Sequence, residues 1–139
     1  MLTAINAARA GVQPPNAVPL PAVTYDLALE AASAAWLASC TVGENPSPGR
    51  TTGQTAHSFT EALTAQRVVD AWEVGAGCYN EAANTCNAGC TQCRNHLQVV
   101  WRDSTRVGCA ERYCSRLTTP YLFHCTWQPA GNVAGQRPY

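Results

Sequence analysis

Eight cysteines stand in a chain of 139 residues, at Cys40, Cys78, Cys86, Cys90, Cys93, Cys109, Cys114 and Cys125. Their density limits the fold more than any other feature. An even set of this size points to disulfides in an oxidising compartment, or to metal ligation in a reducing one. The spacing Cys86-x3-Cys90-x2-Cys93 has no second matching knuckle, and the chain holds only 3 histidines. A disulfide framework is therefore the stronger reading and a cysteine–zinc site the weaker one. The expected location is extracellular. The chain opens on Met1 and a polar helical segment, so it reads as an exported domain whose signal has been replaced by a start methionine.

Length and composition narrow the function classes. A chain of 139 residues fits one domain, and residues 1–139 are read as such. Hydrophobic residues make up 46% and charged residues 13%, the reverse of a disordered chain. No apolar run is long enough to cross a membrane. The 9 basic residues, all arginine, balance 9 acidic ones, which argues against a general nucleic-acid or polybasic membrane binder.

Patterning along the chain gives helices first and strands late. Leu2, Ile5 and Ala8 share a helical face, and the proline-rich tract 11–21 must be an extended loop. Asp26 caps a helix over about residues 27–39, with Leu29, Trp36 and Leu37 as its larger apolar contacts. Residues 43–56 read as a long irregular loop. Ser58-Phe59-Thr60-Glu61 has the form of a capping box, predicting a helix to about residue 74 that buries Leu63, Val68, Val69 and Trp72. Residues 75–93 hold four of the cysteines and form a cross-linked loop. The segment 96–102 reads as a short helix or a buried strand. Residues 106–113 and 121–127 are strands expected to pair as an antiparallel hairpin, with Tyr121, Phe123, Cys125 and Trp127 on one face. This order is α+β.

At this level the chain resembles a known superfamily. Asn6-x-x-Arg9, Leu20-Pro21, Tyr25-Asp26, Ala35-Trp36 and Cys40 carry its N-terminal part. Trp72, Tyr79, Asn84 and Cys86 carry its middle. The stretch from Gln98-Val99-Val100-Trp101 to Ala110 resembles its first signature and central strand, and 123–132 resembles the second. The family is that of the CAP proteins: cysteine-rich secretory proteins, antigen 5 and pathogenesis-related class 1 proteins. The resemblance implies a three-layer α–β–α sandwich with a central antiparallel sheet. It also implies the disulfides Cys40–Cys114, Cys86–Cys93 and Cys109–Cys125. Cys78 and Cys90 lie outside that set and within one loop, so they are expected to pair with each other, a free thiol being the alternative.

Many CAP proteins carry two histidines and two acidic residues around a central cleft, a ligand set suited to zinc. Here the matching positions are all substituted. Asn95 stands where the second histidine is expected, and Gly75 where the second glutamate is. Gln54 matches the first glutamate, and Glu44 is the nearest match to the first histidine; in an alternative alignment Gly43-Glu44-Asn45 carries the first glutamate. Amides and glycine do not replace ionic ligands, so no metal and no cofactor is expected. Glu73 and His96 lie beside the cleft positions: Glu73 should point elsewhere, and His96, at an aromatic position of the signature, reads as packed. His57 is expected to be solvated, and His124 to lie under a helix or in water.

The expectation is a secreted, monomeric binding protein without catalysis, in defence or host interaction. Its partner would be a small hydrophobic ligand such as a sterol or lipid, or an extracellular protein, and not nucleic acid. The apolar candidates are the segment 12–22 and Tyr25, Trp36 and Phe59. The alternatives are a metal-dependent hydrolase or protease of the cleft, and a precursor releasing its last eleven residues as a signalling peptide.

Overall fold

A computed structural model describes residues 1–12, 18–46 and 51–139. Residues 13–17 of the proline-rich tract and 47–50 of the 43–56 loop lie outside the described residues. Among those described, four α-helices flank one mixed sheet. The helices are α1 (Leu2–Gly11), α2 (Leu27–Leu37), α3 (Ala65–Glu73) and α4 (Cys93–Val99). The main strands are β1 (Thr24–Tyr25), β2 (Gly53–Phe59), β5 (Arg106–Tyr113) and β6 (Tyr121–Gln128); β3 (Tyr79–Asn80) and β4 (Thr85–Cys86) form a separate small hairpin. No helix among the described residues is long and apolar enough to cross a membrane.

The central sheet has the order β1-β5-β6-β2, antiparallel throughout except for the short parallel contact of β1 with β5. β5 and β6 pair from Arg106↔Gln128 to Tyr113↔Tyr121, as their alternation predicts. Odd positions of both strands face α1, α3 and α4: Val107, Cys109, Phe123, Cys125 and Trp127 pack with Ile5, Val68, Val69, Trp72 and Val99 in the main core. Even positions face α2. Gly108 lets that helix press on the sheet, since a Cβ there would lie 2.0 Å from the Glu30 backbone nitrogen. Ser33 Oγ then bonds the Gly108 carbonyl at 3.0 Å and Thr126 Oγ1 at 2.8 Å. The sandwich thus has α2 on one side and three helices on the other.

Asp26 caps α2, accepting from the backbone N–H groups of Ala28 and Leu29. The expected helix start at Ser58 is corrected. Ser58 and Phe59 end strand β2, and α3 begins at Ala65 with Thr64 accepting from the Arg67 N–H. The reading of 43–56 as loop is corrected over the same strand, since β2 runs beside β6 from Gly53↔Trp127 to Phe59↔Tyr121. Its polar inner positions, Gln54 and Thr55, carry no apolar alternation. The partner strand supplies the order that local sequence does not advertise.

Four disulfides join Cys40–Cys114, Cys78–Cys90, Cys86–Cys93 and Cys109–Cys125, leaving no free cysteine. Cys86–Cys93 ties the small hairpin to the start of α4. Arg9 holds the other end. Its fully buried guanidinium donates to the carbonyls of Val99, Trp101 and Pro21 at 2.7 to 2.9 Å. A cation there satisfies carbonyls that a helix C-terminus leaves open. Burial, and then the nearby Arg102, lower its pKa to about 10, so it remains charged at neutral pH.

Candidate functional site

Helix α4 is the axis of the site because its consecutive side chains serve different neighbours. Gln98 is fully buried. Its Nε2 donates to Ser104 Oγ at 2.9 Å, and its Oε1 accepts the Gly131 N–H at 2.8 Å. The same side chain leaves no room for a Cβ at Gly53, which would lie 1.8 Å from Oε1. The signature glutamine therefore fastens the helix to the C-terminal segment and to the first residue of β2.

Asn95 lies one turn earlier and faces the open edge of the sheet. β2 is an edge strand, so part of its backbone lacks a strand partner. Asn95 Oδ1 accepts from the Ala56 N–H at 3.2 Å, and its Nδ2 donates to the Ala56 carbonyl at 3.1 Å. One carboxamide thus supplies the donor and acceptor that a neighbouring strand would have offered. Nδ2 also donates to Gln92 Oε1 at 2.8 Å, and Gln92 Nε2 lies 2.9 Å from His57 Nδ1. The expectation that His57 is solvated is corrected. His57 is half-buried and stacked on Phe59 at 4.4 Å, and burial lowers its pKa despite the bond from Gln92.

The other cleft positions are also engaged in the scaffold. Gly75 is buried, and a Cβ there would lie 2.2 Å from the Gln92 carbonyl oxygen. Gln54 is 6% exposed, and its Oε1 accepts the Asn45 N–H at 2.7 Å. Glu44 is the neighbour of Asn45 and is half-buried. Among the described residues no three His, Cys, Asp or Glu side chains converge as a metal would require. The donor chemistry here, two carboxamides, a glycine and a single carboxylate, does not fit the zinc ion that the family's usual ligand set would hold.

Glu73 and His96 face away from this cluster and meet each other, with His96 Nδ1 3.0 Å from Glu73 Oε2. The His96 side chain is only 5% exposed. Both residues line an open cavity of about 840 Å³ between the end of α1, the turn Val74–Cys78, the small hairpin and Tyr139. Tyr79 and Tyr139 meet edge to face, and the Tyr139 hydroxyl donates to Glu81 Oε1 at 2.9 Å. Burial, and then Glu81, hold the Tyr139 phenol well above its ordinary pKa. None of the four cleft positions lines this cavity. Sequence reading named Tyr79 only as part of the family resemblance and missed Gln92, Glu81 and Tyr139 as site residues. Their contacts join distant segments, and no local motif marks them.

His124 lies under α2, its Nδ1 3.1 Å from Ser33 Oγ. Among the apolar candidates, the Tyr25 hydroxyl donates to the Cys109 carbonyl, Trp36 Nε1 donates to the Gly43 carbonyl, and Phe59 packs on Phe123.

Comparison with known proteins agrees with the fold and this motif order. The model of the cysteine-rich secretory protein family, CAP, matches residues 2–127, and the chain belongs to that family. Peptidase inhibitor 16 of Bos taurus is 34% identical over 140 residues, which is 96% of this chain and 30% of that protein. A PR-1 type pathogenesis-related protein of Sambucus nigra is 43% identical over 77 residues, 55% of this chain and 44% of its own length. The chain thus spans less than half the length of these curated relatives. Venom allergen-like protein 4 of Schistosoma mansoni shares the fold with a TM-score of 0.71 and 23% identity, over 99% of this chain and 85% of that one.

Proposed function

We propose that this chain is an extracellular CAP domain, residues 1–139, that works by binding and performs no chemistry at its central cleft. The observation that carries this reading is the use made of the cleft positions. Asn95 completes the edge of β2, Gly75 is filled against Gln92, and Gln54 holds the 43–46 segment. Groups committed to scaffold bonds are poor general acids or bases, and three of the four positions cannot ionise. The four disulfides suit an oxidising compartment. The kinship to pathogenesis-related and venom allergen-like proteins favours a defence or host-interaction setting.

The binding face is the segment 43–46 with the adjoining cleft wall at Gln54, Gly75 and Asn95. Loops anchored on a rigid scaffold are where recognition concentrates. The partner is a small hydrophobic ligand, of sterol or fatty-acid class, or an extracellular protein. The test has two arms. Purified protein is assayed with peptide and ester substrates, with and without added zinc, and then for saturable binding of labelled sterol and fatty acid. The reading expects no turnover, and binding that weakens on Gln54→Ala. Turnover that is lost in Glu44→Ala or His96→Ala would overturn it.

A further inference from the structure

The cavity of about 840 Å³ beside α4 lies apart from the cleft positions, and its chemistry is different. Its charged lining is of one sign: Glu73 and Glu81, with no arginine among the described lining residues and no lysine anywhere in the chain. The dyad at its wall has a defined polarity. In the neutral imidazole of His96, Nδ1 donates to Glu73 Oε2 across 3.0 Å. That leaves Nε2 as the acceptor, on a side chain only 5% exposed. Glu73 Oε1 is buried with no hydrogen-bond partner among the described residues. The site therefore presents acceptors and negative charge in excess.

The remaining walls are apolar or aromatic. Ala8 and Val12 of the α1 end and Ala76 face the cavity from one side, and the rings of Tyr79 and Tyr139 from another. Tyrosine faces attract cations, and a carboxylate nearby adds a directed partner. The volume falls within the range of small-molecule pockets, roughly 300–1,000 Å³. An anion would meet two carboxylates, and the Arg137 guanidinium, held on the carbonyls of Glu81 and Ala82, is not among the described lining residues. A neutral body alone would leave Nε2 and Glu73 Oε1 unanswered.

We propose that this cavity is a second binding site, selective for an organic ammonium: a primary amine carried on a short apolar or aromatic body. The ammonium donates to His96 Nε2 and to the Glu81 carboxylate, and lies in the field of Glu73. The body rests against the α1 end and the tyrosine rings. The site rests on its own lining residues, so it stands or falls separately from the sterol and fatty-acid binding described above.

The test is calorimetric titration of the full chain with phenethylamine, beside 2-phenylethanol as the uncharged isostere. The site predicts saturable amine binding, at least about tenfold tighter than the alcohol, since one charge contact at short range is worth that much. Glu81→Gln, on an exposed residue whose loss should not disturb folding, is expected to weaken the amine by about threefold or more while leaving the alcohol unchanged. His96→Phe should weaken the amine as well. Equal affinity for amine and alcohol, no saturation by about 10 mM, or amine binding indifferent to Glu81→Gln would each overturn the proposal.

Discussion

At the scale of single residues, the decisive group is the Asn95 carboxamide. It makes one acceptor bond and two donor bonds, to the two backbone groups of Ala56 and to Gln92 Oε1. A carboxylate of the same shape keeps the acceptor but turns both donor bonds into contacts between oxygens. Asn95→Asp is therefore expected to lower stability by about 1–3 kcal/mol at neutral pH, the range for leaving buried polar groups unmatched. Urea denaturation of the variant and the parent measures it; an unchanged midpoint would show that the amide is not what closes the strand edge. Two cleft positions were placed by the family resemblance: Asn95 stands three residues before Gln98 and Gly75 three after Trp72. What those side chains touch was not legible, because Ala56 and Gln92 reach Asn95 and Gly75 through the fold.

At the scale of elements, α3 shows where local patterning misleads. Ser58-Phe59-Thr60-Glu61 has a capping box's residues, yet Ser58 and Phe59 are paired with Leu122 and Tyr121 of β6. The cap lies six residues on, at Thr64. Tertiary pairing outweighs a cap that is worth about 1 kcal/mol. Thr64→Ala is thus expected to cost about 0.5–2 kcal/mol of stability through the lost cap. Ser58→Ala should leave α3 intact, and thermal unfolding of the two variants compares them directly. A larger loss in Ser58→Ala than in Thr64→Ala would put the helix start back at the motif. Elements with strong periodicity or a matched partner, such as α2, β5 and β6, were readable from sequence. β2 was not, because its buried residues, Gly53, Gln54 and Thr55, carry no strong apolar marker on either face, and its order comes from β6.

For the whole molecule, disulfides and buried polar clamps hold the layers in a fixed relation. Cys86–Cys93 and Arg9 fix the two ends of α4, and Gln98 ties it to the C-terminal segment. One rigid helix then serves two faces: Asn95 on the strand edge, His96 on the cavity. The family was legible in the order of motifs along the chain, and the resemblance implied three of the four disulfides; the cavity was not legible. It is assembled from α1, the end of α3, the small hairpin, α4 and Tyr139, segments far apart in sequence. The central claim is that the cleft positions have become scaffold and no longer form a metal centre. The most direct measurement is calorimetric titration of the intact protein with zinc. The account predicts no binding tighter than about 1 μM, because the cleft offers fewer than the three or four strong donors zinc requires. Submicromolar binding that vanishes in Asn95→Ala or Glu44→Ala would contradict it.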